Sequence, residues 1–111
     1  MALDLPKLRK LVALDENDPL SRFALGKKLF EVAGDDAVLA EALGHLRFAN
    51  RTAPDHLATY HILAQTLSRL GLKDEARQVL QAGVAKSAGF AHGMGRDLGP
   101  LMQEMLAHLS V

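Results

Sequence analysis

The chain has 111 residues, of which 49% are hydrophobic and only 5% aromatic, and it contains no cysteine. A chain of this length fits one domain with a core of leucine and alanine, and the lack of cysteine excludes disulfides, thiolate catalysis and cysteine-ligated zinc. Basic and acidic residues balance at 13 each, so no basic field is present to hold nucleic acid or an anionic membrane surface.

Charged residues interrupt the N-terminal segment from Asp4 onward, at Lys7, Arg9 and Lys10. This spacing leaves no apolar run of about seven residues, which a signal peptide requires. No later segment approaches the roughly 18 apolar residues of a membrane-spanning helix. We therefore predict a cytoplasmic protein that has neither a membrane partner nor a nucleic-acid partner.

Aspartates precede the first two predicted helices. Asp4 can cap a helix over 5–14, whose leucines recur near the helical period. Asp18 precedes Pro19, and proline is favoured in the first turn of a helix because its missing N–H would have no partner there. The second helix is therefore predicted to begin at Pro19. Gly34 is expected to end it in the left-handed conformation.

The third and fourth helices lie on either side of a proline-containing connection. The third is predicted over about 37–50, with Asp35 or Asp36 as its cap. The fourth is predicted to begin at Asp55 and to end at Gly71.

The last two helices are separated by a glycine-rich stretch. The fifth helix is predicted to begin at Asp74, and the stretch 87–95 contains three glycines and is predicted to be a loop. Asp97 can then cap a last helix with Pro100 in its first turn. No segment alternates polar and apolar residues with a period of two, so we predict no strands. The chain is expected to be all-α, with six helices.

Two segments of the chain repeat each other. Helices two and three correspond to helices four and five in the spacing of their large and small side chains. The matched positions are Leu25, Gly26, Leu29, Ala42 and Leu46 in the first segment and Leu63, Ala64, Leu67, Ala76 and Leu80 in the second. Each segment is therefore interpreted as one helical hairpin.

This spacing resembles the tetratricopeptide repeat, in which large residues fill each hairpin and small residues let its two helices approach closely. Further positions of the repeat pattern are matched by Tyr60, Gly71 and Gly83 in the second hairpin and by Ala49 and Pro54 in the first. Arg22 stands where the first hairpin would carry its leading aromatic residue. The resemblance implies antiparallel hairpins stacked into a right-handed solenoid.

The resemblance also implies four segments within a single domain. They are an N-terminal helix over 1–16, a first repeat over 19–54, a second repeat over 55–88 and a C-terminal capping helix over 97–110. Because one hairpin cannot bury its apolar side alone, the two terminal helices are expected to complete the stack.

In this family the first helix of each hairpin lines a concave groove that binds a partner protein. Carried onto the matching positions, the implied partner-binding residues are Phe23, Lys27, Phe30, Ala58, His61, Gln65, Ser68 and Arg69. The phenylalanines offer apolar pockets while Lys27 and Arg69 offer positive charge, which suits an extended peptide or a helix with apolar and acidic side chains. An alternative is that both phenylalanines pack against the first or the last helix.

No motif in the chain predicts catalysis, a metal site or a cofactor site. His56 and His61 are five residues apart, so they do not share the helix face of a zinc-binding i, i+4 pair. The serines lack the context of a nucleophile elbow.

We therefore predict a non-catalytic protein-protein interaction or assembly module. A second hypothesis is a structural or accessory subunit that forms a homodimer through the apolar faces of its first and last helices.

Overall fold

A computed structural model describes residues 4–89 and 94–109, with side chains in the second range from Leu98 onward. Its helices are α1 (Leu5–Leu14), α2 (Pro19–Val32), α3 (Asp36–Thr52), α4 (Leu57–Arg69), α5 (Lys73–Ser87) and α6 (Met94–Leu109). No strand occurs in the described ranges, and the all-α prediction with six helices is confirmed. The chain forms two compact units, Met1–Pro54 (unit 1) and Asp55–Val111 (unit 2).

All three helices of unit 1 begin after an aspartate whose carboxylate accepts a hydrogen bond from the backbone. The N–H of Lys7 donates to Asp4 at 3.1 Å, and the N–H of Val38 donates to Asp35 at 3.0 Å. Asp18 caps α2 in the same way. These bonds satisfy backbone groups that have no partner inside the helix, and they confirm the predicted starts of α1 and α2.

Gly71 ends α4 in the manner that the sequence predicts. It has a φ of 80°, the only positive φ in the part of the chain that the structure describes. The N–H groups of Gly71 and Leu72 donate to the carbonyl oxygens of Ser68 and Leu67 at 3.0 and 2.9 Å. This pair of bonds is the Schellman motif, which needs a left-handed residue and therefore favours glycine.

The left-handed ending predicted at Gly34 is wrong. α2 ends at Val32, and Ala33 is extended, with φ −61° and ψ 122°. An extended residue leads the chain directly to the Asp35 cap of α3, so the connection needs no reversal through a left-handed residue.

Two predicted helix starts in unit 2 are also corrected. α4 begins at Leu57 and α5 at Lys73, so Asp55 and Asp74 do not act as their caps. Asp55 instead accepts a hydrogen bond from Lys86 Nζ at 3.0 Å. An ion pair with α5 therefore occupies the carboxylate of the residue at which the sequence pattern placed the start of α4.

The last helix begins at Met94, earlier than the predicted Asp97, and Pro100 lies inside it and not in its first turn. Of the predicted loop 87–95, Ser87 belongs to α5 and Gly95 to α6, while 90–93 lie outside the described residues. A Cβ on Gly99 would come 2.8 Å from Ser87 Oγ. The close approach of α5 and α6 therefore explains why this position of α6 is a glycine.

The units have their own hydrophobic cores. In unit 1, α2 packs against both α1 and α3. In unit 2, α6 packs against both helices of the α4/α5 hairpin, and the buried cluster consists of Tyr60, Ala64, Leu80 and Met102. Within the described ranges, no helix has both the length and the hydropathy to cross a membrane.

Candidate partner-binding surfaces

The first hairpin, α2 with α3, is built around a close contact at Gly26. A Cβ atom on Gly26 would lie 2.7 Å from Leu46 Cγ and 3.3 Å from the carbonyl oxygen of Ala42. Leu46 is fully buried, in an interior where side chains are closely packed. The missing side chain therefore lets the helices approach, and it fixes the rotation of α2 about its own axis.

The second hairpin, α4 with α5, has its close contact at Gly83. A Cβ atom there would lie 2.9 Å from Tyr60 Cβ and 2.7 Å from Met102 Sδ. α6 therefore packs at the point where α4 and α5 meet. Tyr60 is 5% exposed, so the orientation of α4 is set by its buried side.

Arg22, which replaces the leading aromatic residue of the first hairpin, packs against an aromatic ring of α3. Its guanidinium lies 4.5 Å from the centre of the Phe48 ring. The Arg22 Nε also donates to the backbone carbonyl of Glu16 at 2.8 Å. A guanidinium can bury its planar face on a ring while its edge donates hydrogen bonds, so the hairpin accommodates the change.

Three of the predicted partner-binding residues lie on α2 and form a surface that we call the α2 face. Phe23 and Phe30 are half-buried, and Lys27 is exposed between them. Leu20, at the start of the same helix, is 58% exposed. The α2 face is therefore mainly apolar with one accessible cation.

The other five predicted residues lie on α4 and form the α4 face, which consists of Ala58, His61, Gln65, Ser68 and Arg69. Arg69 is exposed and the others are half-buried. The side chains of His61 and Gln65, one turn apart, are hydrogen-bonded with Nε2 to Nε2 at 3.0 Å. Burial lowers the pKa of His61 and so favours its neutral imidazole.

The two faces differ in what they can bind. Aromatic rings on the α2 face can hold apolar side chains, and Lys27 can pair with a carboxylate. On the α4 face, amide, imidazole and hydroxyl groups can hydrogen-bond a peptide backbone or polar side chains. None of the eight residues is fully buried, whereas the neighbouring repeat positions Leu25, Leu29, Leu63 and Leu67 are.

A polar cluster in unit 1 was not predicted from the sequence. Arg9 on α1 forms a two-pronged ion pair with Glu41 on α3, in which Nη2 lies 3.2 Å from Oε1. His45 Nε2 lies 3.7 Å from the same carboxylate, and its Nδ1 lies 3.3 Å from Arg22 Nη1. The hydrogen bond from Arg9 holds the pKa of Glu41 below its usual value. The only signal in the sequence is the i, i+4 spacing of Glu41 and His45.

A cleft of about 290 Å³ lies beside this polar cluster. Its lining residues are Arg9, Val12, Ala13, Glu16, Leu25, Glu41 and His45. The cleft therefore has an apolar floor from α1 and α2 and a charged rim. Across the described residues, no group of three or more histidine or carboxylate side chains is placed to hold a metal ion.

Comparison with known proteins finds a similar fold among the solved structures. No family model matches the chain, and no curated protein matches it. A solved structure does match, the crystal structure of PcrH in complex with the chaperone binding region of PopD. The match has a TM-score of 0.82 and 18% sequence identity, and it covers 96% of this chain and 75% of that chain.

The chain has the tetratricopeptide-repeat fold. The tetratricopeptide pattern of large and small residues accounts for the contacts at Gly26 and Gly83, which lie in different helices of their hairpins. At 18% identity the likeness concerns the fold, so the ligand of a tetratricopeptide protein cannot be transferred without argument.

Proposed function

We propose that this chain is a non-catalytic module that binds a peptide segment or helix of another protein through the first helix of each hairpin. The contact residues would be those of the α2 face and the α4 face. A cytoplasmic location, which the composition predicts, is part of the proposal.

The observation that carries the proposal is the division of each first helix into a buried side and an accessible side. On α2, Leu25 and Leu29 are buried while Lys27 is exposed. On α4, Leu63 and Leu67 are buried while the α4 face keeps accessible polar groups. Each first helix thus combines a buried side with a partly exposed, chemically varied surface of the kind that recognises peptides. The likeness to PcrH, which was crystallised with a segment of PopD, supports a peptide as the type of ligand.

A pull-down with a triple variant tests this proposal. Lys27, Gln65 and Arg69 are changed together to alanine, and captured proteins are identified by mass spectrometry. We expect the affinity for the captured partner to fall by about tenfold or more, because a few residues carry most of the binding energy of an interface.

The matched control changes the same residue types away from both faces, as Lys10→Ala, Arg47→Ala and Gln78→Ala. These three positions are exposed and lie on α1, α3 and α5. The control should bind like the unchanged chain. Equal capture by the triple variant, with its helical circular dichroism intact, would show that the two faces do not bind the partner.

A homodimer is the second candidate function, because leucines on the terminal helices are unusually exposed. Leu14 is 83% exposed on α1, and Leu101 is 47% exposed on α6. Burial of such side chains between two copies would be favourable. This candidate predicts a dimer mass by light scattering at tens of micromolar protein and a monomer mass for Leu14→Glu combined with Leu101→Glu. A monomer mass for the unchanged chain contradicts it.

A further inference from the structure

The polar cluster of unit 1 links all three of its helices through side chains. Arg9 on α1 binds Glu41 on α3, and His45, one turn further along α3, approaches the same carboxylate. His45 is in turn contacted by Arg22 on α2, which donates to the carbonyl of Glu16 in the turn after α1. This series of side-chain contacts therefore begins at Arg9 on α1 and ends at Glu16, just after α1. We call these five residues the α1 relay.

The relay specifies the protonation state of His45. Arginine has only donors, so the 3.3 Å contact from Arg22 Nη1 requires the Nδ1 atom of His45 to accept. An imidazole that accepts at Nδ1 is neutral and carries its proton on Nε2, which faces Glu41 at 3.7 Å. A second proton, on Nδ1, would point toward the Arg22 guanidinium and would remove this contact.

Beyond the relay, α1 packs against α2. The helix has ten residues, and its buried side chains are Leu8 and Val12. A helix of this length is marginal on its own, so α1 stays formed because it is docked. The ion pair between Arg9 and Glu41 bridges α1 and α3 across the cleft, where the two backbones do not otherwise approach each other.

We propose that the α1 relay is an acid-sensitive latch, which holds α1 against α2 and α3 while His45 is neutral and releases it when His45 is protonated. Protonated His45 repels Arg22, whose bond to Glu16 anchors the turn after α1. It also becomes a second cation for the Glu41 oxygen that binds Arg9. Both effects weaken contacts of α1, and its release exposes Leu8, Val12 and the Leu25 wall of the cleft.

The pKa of His45 supports the direction of this effect. Burial is the largest cause and lowers the pKa of His45, and the positive charge of Arg22 lowers it further. The carboxylate of Glu41 raises this pKa, and the charge of Arg9 makes the smallest contribution and lowers it. In the released state His45 regains solvent and approaches its ordinary pKa of about 6.5. The docked state therefore binds the proton less well than the released state. Docking is fully stabilised above about pH 6.5 and weakens as the pH falls toward the lower pKa of the docked state.

Hydrogen exchange of the full chain tests the latch. Protection of the α1 amides is measured relative to the α3 amides at about pH 7.5 and about pH 5, after correction for intrinsic exchange rates. We expect the relative protection of α1 to fall by about threefold or more, since release coupled to one proton changes at most about tenfold per pH unit. In His45→Gln, which can accept from Arg22 but cannot be protonated, the relative protection should not change with pH.

Two controls test whether the pH response of α1 depends on His45. His108→Gln changes an exposed histidine of α6 and should keep the pH response of α1. In the unchanged chain, the NMR titration midpoint of the His45 ring should coincide with the pH at which α1 loses protection, and this comparison needs no variant. Constant α1 protection between the two pH values, an equal loss in a folded His45→Gln, or separate midpoints would each overturn the proposal.

Discussion

Replacement of Gly26 with leucine is expected to destabilise unit 1 by about 3 kcal/mol or more. The first added atom would already lie 2.7 Å from Leu46 Cγ and 2.9 Å from Leu46 Cδ2, and the remaining side-chain atoms would need further space. Leu46 is fully buried and cannot move without displacing its neighbours. Such a loss is a large part of the stability of a small domain. Urea unfolding monitored by far-ultraviolet circular dichroism measures it.

Gly44→Leu is the matched control for this experiment. Gly44 lies within α3, is exposed, and has no heavy atom within 4 Å of the position where its Cβ would lie. Leucine favours a helix over glycine, so this variant should be more stable by about 0.5–1 kcal/mol. If both leucine variants changed stability by the same amount, the close contact at Gly26 would not be the cause.

Replacement of Gly83 with alanine is expected to destabilise unit 2 by about 2 kcal/mol. The direction of the change in stability is informative, because replacement of glycine with alanine in an exposed helix normally stabilises a protein by about 1 kcal/mol. Here the new Cβ would lie 2.9 Å from Tyr60 Cβ and 3.1 Å from Tyr60 Cγ, next to the α4 backbone. Met102 can yield at its flexible end, but the base of the tyrosine side chain cannot.

The single tyrosine of the chain makes this effect measurable in unit 2 directly. Tyr60 touches the substituted position, so its fluorescence and near-ultraviolet circular dichroism report the packing there. Thermal unfolding followed by the tyrosine signal should show a lower midpoint for Gly83→Ala. Gly44→Ala, the same substitution without a neighbour, should leave the midpoint equal or higher. A raised midpoint for Gly83→Ala would contradict the packing derived for this hairpin.

Local chemistry determines which helix ends could be predicted from the sequence. The starts at Asp4 and Asp18 depend on a cap and a proline within a few residues, and both predictions are confirmed. The ending at Gly71 is similarly local. The start of α6 at Met94 is missed because Gly95 counts as part of the glycine-rich loop. Further along the same helix, Gly99 lies in close contact with Ser87 on α5. That contact depends on tertiary packing, which residue spacing alone does not contain.

In the candidate site, too, local sequence patterns could be predicted and tertiary contacts could not. The two hairpins could be predicted because their large and small residues recur at fixed intervals, and from them follow the positions of the α2 and α4 faces. Whether these faces bind a partner stays a prediction. The α1 relay could not be predicted, since Arg9 and Glu41 are 32 positions apart and Arg22 and His45 are 23 apart. Such pairs form only once the helices of unit 1 pack together.

The positions of the close-contact glycines give the two hairpins a fixed order along the chain. The first hairpin has glycine on its first helix, at Gly26, and Ala49 at the position equivalent to Gly83. The second hairpin has alanine on its first helix, at Ala64, and glycine on its second helix, at Gly83. Gly83 leaves room for Met102 of α6, because a Cβ at that position would lie 2.7 Å from the Met102 sulfur and Met102 would have to shift. A gene rearrangement that exchanged the two hairpins would preserve the composition, the charge and the repeat pattern of the protein, yet it would place a methyl group against the terminal helix.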